Sequence, residues 1–418
     1  MAIENQLICQ LNYGTETLRA DVVLRQCDDC SLIATVVPCQ SIDLISSTAD
    51  CFLESIPDPE SSSLLLKRTP IIMSAQNINL EAKLDLAELE LQNLPQDSDI
   101  VSVRMYLTNL FDPYYYKEGS KFYINIPEQQ PVVLSAHTEG KISHIAEVSE
   151  IPYSDLEKIK KLVDSICWLC SFASGRLSAV ARMEVLRNEE LISQELTSVD
   201  TTLNQGSKVI FDVDDLTQFI EHSYKYYQES VTKYNLNNLI NLGLLAKHTP
   251  YIEVKTLLMC NFLEVLRYNY ALNIGYPKGD FTRDQKDNFY LVTNGRRNGR
   301  RNGRRNGSAS SQERASFQEI LKHFCDKNRL TGWHSRFKDI RDKIVHTGNI
   351  TASDHREKIQ KYQDLHHFCD QVILALLQWD CAGVRLTLPQ CDVVSGPYIP
   401  INCLQNPESV ANRVAFTR

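Results

Sequence analysis

The chain has 418 residues, which is too long for a single ordinary hydrophobic core, so we expect at least two domains. Its 43% hydrophobic and 23% charged residues are typical of a folded, soluble protein and exclude a disordered chain. The net charge of −8 excludes a general nucleic-acid binder, because an acidic body repels the phosphate backbone. Any contact with RNA would therefore have to be local.

The first residues and the cysteines indicate the compartment. The N-terminus lacks a basic segment followed by an apolar one, so we expect no signal peptide. No apolar run reaches the roughly 18 residues that a membrane span needs. Thirteen cysteines without a repeated spacing argue against a secreted disulfide framework. We therefore expect a cytoplasmic protein with no membrane partner.

Residues 1–150 are predicted to form a β-rich domain. Runs of β-branched or alternating apolar residues recur there and are separated by turn-forming residues. The predicted strands are 18–24, 32–37, 100–107, 121–126 and 132–136. The three tyrosines 114–116 could stack on bases, although such aromatic residues more often fill one face of a sheet.

Helical patterns begin at residue 154. Ser154 and Glu157 have the spacing of a capping box, and apolar residues at helical spacing follow them. We predict a helical or mixed connector over 151–213, with a strand-like pattern near 208–213, and an α-helical domain over 214–383. The predicted helices are 214–233, 251–272, 316–328, 334–346 and 354–380. The tail 384–418 is predicted to be irregular, so the fold class is α+β.

Three NGRR repeats occupy residues 294–307 within the helical region. Gly and Asn break helices and the arginines repel one another, so we expect a disordered loop. The repeats can be a neutral insertion that arose by slippage, or a loop that attracts RNA by its charge. The arginines that would contact RNA are Arg296, Arg297, Arg300, Arg301, Arg304 and Arg305.

The residues that indicate chemistry lie just before Gly348, where a helix is predicted to end. Arg341 and His346 are five residues apart, about 140° around a helix, so they converge only if the last turn loosens. Asp342 lies four residues before His346 and could orient its ring. A histidine can transfer a proton at neutral pH and a guanidinium can hold a phosphate, which suits attack by an RNA 2′-hydroxyl. Spacing alone also permits a helix-end histidine and a surface ion pair.

This stretch resembles the Arg-x4-6-His motif of the HEPN superfamily, in which a polar residue commonly follows the arginine. The helix predicted at 251–272 is similar to the earlier HEPN helix beside that motif. A β-rich part followed by such a helical end resembles the ApeA-like group of defence-associated HEPN proteins. The resemblance implies a homodimeric, metal-independent endoribonuclease in antiviral defence or growth arrest. In this hypothesis, residues 1–150 sense a protein or nucleic-acid trigger or dock a target. It makes Arg341 and His346 catalytic, with Asp342 and Glu264 in support.

Alternatives remain at each of these features. The helical domain could instead be a non-enzymatic module for dimerisation and partner binding. Cys27 with Cys30 and Cys167 with Cys170 form two CxxC pairs, but they are too far apart in sequence for a typical zinc site. We therefore expect no metal and no cofactor. His366 and His367 are expected to face solvent or a dimer partner.

Deleting residues 294–307 should leave folding almost unchanged, because a segment of Gly, Asn and Arg has no apolar side chain to bury. The measurement is the thermal unfolding midpoint of the deletion variant beside that of a core substitution such as Phe262→Ala. An unfolded deletion variant would contradict the prediction. Weaker RNA binding with a flatter salt dependence would identify the loop as an electrostatic contact.

Overall fold

The structure is a computed structural model, and it divides into two compact units, Met1–Tyr224 and Lys225–Arg418. The first unit is rich in strands and the second in helices, which confirms the α+β expectation. The residues described are 3–13, 16–38, 51–56, 64–76, 79–90, 95–110, 119–201, 208–210, 213–274, 281–283, 289–291, 315–330, 337–350, 352 and 354–379. Within these residues, no helix is both long enough and apolar enough to span a membrane.

Six strands of the first unit form an antiparallel sheet that closes on itself. In the order of their pairing they are β1 (Ile3–Tyr13), β2 (Glu16–Gln26), β3 (Leu32–Pro38), β7 (Asn79–Leu84), β6 (Thr69–Gln76) and β4 (Cys51–Ser55). Side chains alternate between the two faces of a strand, so every second residue points inward. Leu11, Leu24 and Leu53 are fully buried there and fill the interior.

An eight-stranded antiparallel sheet forms the rest of the β structure in the first unit. In order it contains β10 (Lys121–Ile124), β11 (Val132–Glu139), β12 (Ile142–Pro152), β9 (Ile100–Thr108), β13 (Val180–Arg187), β14 (Glu190–Thr197), β8 (Leu86–Glu90) and β5 (Leu65–Leu66). The helix α1 (Leu156–Ser174) packs against β12 and β13. All five predicted strand runs lie in strands, although β10 ends two residues earlier than predicted.

The segment 151–213 differs from its prediction as a helical or mixed connector. Besides α1, it supplies β13 and β14, which lie inside the eight-stranded sheet and belong to the first compact unit. The two strands are joined by a tight turn at Asn188 and Glu189, both with positive φ. Near the predicted strand at 208–213, residues 208–210 form no strand, and the amides of Val209 and Ile210 donate to the Ala173 carbonyl.

The predicted capping box at Ser154 and Glu157 is wrong. A short 3-10 turn at Tyr153–Asp155 precedes α1, and Asp155 occupies the N-cap position without a side-chain cap. The amide of Ser154 donates to the Asp97 carbonyl. A tertiary contact therefore binds the amide of Ser154 and displaces the helix start from the position that the local pattern indicates.

The second unit is built from helices. They are α2 (Val213–Tyr234), which crosses the boundary between the units, α3 (Leu236–His248), α4 (Ile252–Ile274), α5 (Phe317–Lys327), α6 (Phe337–Thr347) and α7 (His355–Leu376). A short hairpin, β15 (Phe281–Arg283) and β16 (Phe289–Leu291), follows α4. The helix α3 was not predicted; the others agree with the predicted helices within the described residues. At the start of α5, Ser316 and Glu319 form a capping box in which each side chain binds the other residue's amide.

The prediction that His366 and His367 face solvent or a partner is wrong, because both are buried in α7. The Nδ1 atom of His366 lies 3.4 Å from one carboxylate oxygen of Asp370, and Lys247 Nζ lies 3.9 Å from the other. Burial lowers the pKa of His366 to about 4, although Asp370 acts in the opposite direction. Lys247, His367 and Lys255 lower that pKa further, so His366 is neutral in the folded protein at pH 7.

Acidification should destabilise the second unit through His366. Its folded pKa lies below the unfolded value near 6.5, so the stability is complete above pH 6.5 and is lost as the pH falls toward 4. Between pH 7 and pH 5 the loss amounts to about 2 kcal/mol. Urea unfolding followed by circular dichroism should show this loss, and His366→Gln should reduce it. The same change at the exposed His355 is the control. Equal pH dependence in both variants would contradict the assignment.

Candidate active site

The helix α6 carries the predicted Arg–His pair and buries one face. Phe337, Ile340 and Ile344 lie on that face, and Phe337 stacks on Phe368 of α7 with ring centroids 5.1 Å apart. The helix ends at Gly348, whose amide donates to the Ile344 carbonyl and whose φ is +67°. Only glycine adopts this backbone conformation without strain, so the predicted helix end is confirmed.

Arg341 is held in place by two carboxylates. Its Nε and Nη2 atoms lie 2.8 Å and 2.6 Å from the same oxygen, Oε1, of Glu264 on α4. Its Nη1 atom donates to Asp342 Oδ1 over 2.7 Å. The guanidinium also lies over the ring of Phe317 at 5.3 Å. Glu264 is 77 residues away in sequence, so this ion pair joins α4 to α6.

Glu264 binds a second cation through its other oxygen. Arg267, one turn later on α4, places Nε 2.9 Å from Glu264 Oε2. The four side chains Arg341, Arg267, Glu264 and Asp342 together carry two positive and two negative charges. This neutral balance lets them stay partly buried, with 26–39% of each side chain exposed.

The environment of Arg341 determines its charge state. Partial burial lowers the pKa of the guanidinium, but the hydrogen bond to Asp342 and the charge of Glu264 have the larger combined effect, so the pKa is raised. Arg341 therefore acts as a fixed cation and not as a base. Cys260 lies one turn before Glu264, and burial raises the pKa of its thiol to about 12. That thiol is protonated at neutral pH and is not a nucleophile.

His346 lies apart from Arg341 within one chain. The helix α6 is regular through Thr347, so the two residues are about 140° apart around its axis and about 7.5 Å apart along it. Arg341 is half-buried toward α4, whereas His346 is exposed. Within the described residues we find no hydrogen bond or ion pair of His346. Asp342, expected to orient the His346 ring, is bound to Arg341 in this structure.

Several predicted residues lie outside the part of the chain that the structure describes. They are the loop 294–307 with its six arginines, the tyrosines 114–116 and the tail 384–418. In the described residues, no group of three or more His, Cys, Asp or Glu side chains is arranged to hold a metal ion. Cys30, Cys167 and Cys170 of the two CxxC pairs are buried, and burial raises the pKa of the Cys30 thiol to about 11.

Sequence reasoning missed two members of the Arg341 environment, Arg267 and Phe317. The spacing of Arg267 three residues after Glu264 is a usable signal, because residues three apart are neighbours on a helix. Phe317 gives no such signal, since its approach to Arg341 depends on tertiary packing. Comparison with known protein families, curated proteins and solved structures gives no match for this chain.

Proposed function

We propose that the helical domain of this chain, residues 214–383, is a HEPN-type endoribonuclease that cleaves RNA without a metal ion at a site shared by two copies. The observation that carries the proposal is the state of Arg341. Within the described residues its guanidinium donates hydrogen bonds from Nε and Nη1, and Nη2 lies 2.6 Å from Glu264 Oε1. Further N–H bonds on Nη1 and Nη2 can bind a phosphate, in a side chain whose position Glu264 fixes.

The chemistry proposed is transfer within the RNA strand. His346 takes the proton from a 2′-hydroxyl, and the O2′–phosphorus bond forms as the phosphorus–O5′ bond breaks. A protonated His346 from the second copy gives a proton to the departing 5′-oxygen. Arg341 binds the non-bridging oxygens, where negative charge increases in the transition state. The products are a 2′,3′-cyclic phosphate and a 5′-hydroxyl.

Exposed apolar side chains on α4 and α6 favour a second copy as the partner. Val254 and Leu257 of α4 are 42% and 38% exposed, and Leu257 lies two turns before Glu264 on nearly the same side. Val345, next to His346 on α6, is 47% exposed. In a twofold dimer the same patch serves both chains, so each copy covers the apolar surface of the other. A specific dimer of this kind buries on the order of 1,200 Å² or more.

The cellular role belongs to the same proposal. Cleavage of RNA by a cytoplasmic protein would serve antiviral defence or growth arrest, with the β-rich N-terminal part sensing a protein or nucleic-acid trigger. Free cysteines support a reducing compartment: all nine in the described residues are unpaired thiols. The arginines of residues 294–307 would add electrostatic attraction for RNA.

A second candidate function is a non-enzymatic dimerisation or interaction protein. The separation of Arg341 and His346 within one chain favours it, as does the neutral charge balance around Arg341. In that case the ion pairs of Arg341 with Glu264 and Asp342 only fix α6 against α4, and His346 is an exposed residue without a catalytic role. Activity measurements separate the two candidates.

Purified protein should cleave RNA in the presence of EDTA and leave 2′,3′-cyclic phosphate ends, because Arg341 and His346 supply the chemistry without a metal. His346→Ala should lower the rate by at least a hundredfold, as removal of a general acid or base does. His355→Ala, a change at another exposed histidine, is the matched control and should keep the rate. Activity that EDTA abolishes and magnesium or manganese restores would contradict the mechanism.

Mixing His346→Ala protein with Arg341→Ala protein should restore part of the activity that each variant lacks. In a mixed dimer, one copy supplies an intact His346 and the other an intact Arg341, so a shared site regains one of each. The second His346 is still missing, which is why only part of the activity should return. The measurement is the cleavage rate of the mixture against the two variants alone, with sedimentation to establish the dimer. A monomer that cleaves at the full rate would exclude the shared site.

A further inference from the structure

The carboxylate of Asp342 lies within reach of both predicted catalytic residues. It follows Arg341 directly in sequence and precedes His346 by four residues. On a helix this second spacing places the two side chains about 40° apart around the axis and one turn apart along it. In the structure Asp342 accepts a hydrogen bond from Arg341 Nη1 at 2.7 Å. Asp342 therefore binds one of its two possible partners and leaves the other exposed.

The two carboxylates on Arg341 differ in how firmly they are held. Glu264 binds Arg341 through Oε1 and Arg267 through Oε2, and its side chain is 27% exposed. Asp342 has only the contact with Arg341 among the described residues, and its side chain is 39% exposed. A phosphate that binds Arg341 repels both carboxylates. Asp342 is the one that can leave, because it gives up a single contact and already faces water.

We propose that Asp342 is a positioning residue that moves from Arg341 to His346 when an RNA phosphate binds Arg341. This inference rests on the proposed nuclease function. At its new position Asp342 accepts a hydrogen bond from one ring N–H of His346. The other ring nitrogen is then directed to the reacting oxygen, where it takes or gives the proton. Asp342 itself makes and breaks no covalent bond. The ring N–H of His346 that donates to Asp342 keeps its proton throughout.

The proposal separates the effects of Asp342 on binding and on catalysis. In free protein the carboxylate competes with phosphate for Arg341, so removing its charge should tighten RNA binding. In the complex it orients His346, so removing it should slow cleavage. If the role of Asp342 were purely structural, its loss would weaken both steps. If Asp342 were only a competitor, its loss would tighten binding and leave the cleavage of bound RNA unchanged.

The experiment compares Asp342→Asn with Asp339→Asn in the full chain. Asp339 is an exposed carboxylate on the same helix and serves as the control for a lost surface charge. We expect Asp342→Asn to lower KM roughly threefold to tenfold and to lower kcat at least tenfold, as expected for a charge and an orienting group. Asp339→Asn should change each constant less than about twofold. Asp342→Glu, which keeps the carboxylate, should recover part of the kcat.

A second measurement follows His346 directly. Short 2′-O-methyl RNA binds but offers no 2′-hydroxyl proton, so it holds the complex before cleavage. In wild-type protein this RNA should change the ring nitrogen NMR signals of His346 to those of a hydrogen-bonded imidazole. The change should be absent in Asp342→Asn protein. The comparison requires that Asp342→Asn and Asp339→Asn have the same thermal unfolding midpoint as the wild-type protein.

The outcomes distinguish this inference from the nuclease proposal. If the wild-type protein cleaves RNA but Asp342→Asn does not combine tighter binding with a lower kcat, the nuclease stands and the movement of Asp342 is wrong. If the wild-type protein does not cleave, the nuclease is wrong. In that case the measurements with 2′-O-methyl RNA still test the movement of Asp342. Tighter RNA binding by Asp342→Asn, together with a His346 signal change seen only when Asp342 is present, supports it. Unchanged binding and an unchanged signal overturn it.

Discussion

The carboxylate of Glu264 is the contact on which the arrangement of the helical unit around Arg341 depends. One of its oxygens accepts a hydrogen bond from Arg341 on α6, and the other forms an ion pair with Arg267. Without Glu264, Arg341 would keep only Asp342 as a counter-charge among the described residues, and Arg267 would lose this ion pair. Apolar packing of Phe337 and Ile344 also holds α6 against the unit. The ion pair adds a fixed position along the helix axis, because a shift of one turn would separate the charges.

The sequence predicted those parts of the fold that repeat a local pattern. Strands such as β9 follow from alternation, since Val103 and Met105 are buried and their neighbours are not. The pattern failed where tertiary contacts decide. The strand β13 also alternates, with Ala181, Met183 and Val185 buried, but it lies in sequence between helical segments, and charged residues such as Arg182 and Glu184 occupy its other face. The helix α3 contains Asn and Gly that resemble a loop, although Leu236, Leu239 and Ile240 have helical spacing and are buried.

The candidate site divides in the same way. Local spacing identifies Arg341, Asp342 and His346 as a group on one helix, and Gly348 as its end. Spacing cannot show which side of the helix each residue faces in the fold, because that depends on what α6 packs against. Packing against α4 makes Arg341 half-buried and leaves His346 in water. The sequence also cannot show whether the Asp342 carboxylate binds Arg341 or His346, because both residues lie at spacings that allow contact on a helix.

A regular α6 means that no side-chain rotation brings Arg341 and His346 to one phosphate within a single chain. The two residues leave the helix in directions about 140° apart, and Arg341 is tied to α4 by the Glu264 contact. Any chemistry that needs both groups must therefore bring the His346 of one copy to the Arg341 of another, or unwind the last turn of α6. Unwinding would break the bond from Gly348 to Ile344 and expose the buried Ile344. In the proposed dimer, association would keep both of these contacts. For this reason a site that requires both residues would depend on protein concentration, which gives a nuclease of this design an intrinsic restraint while it is dilute.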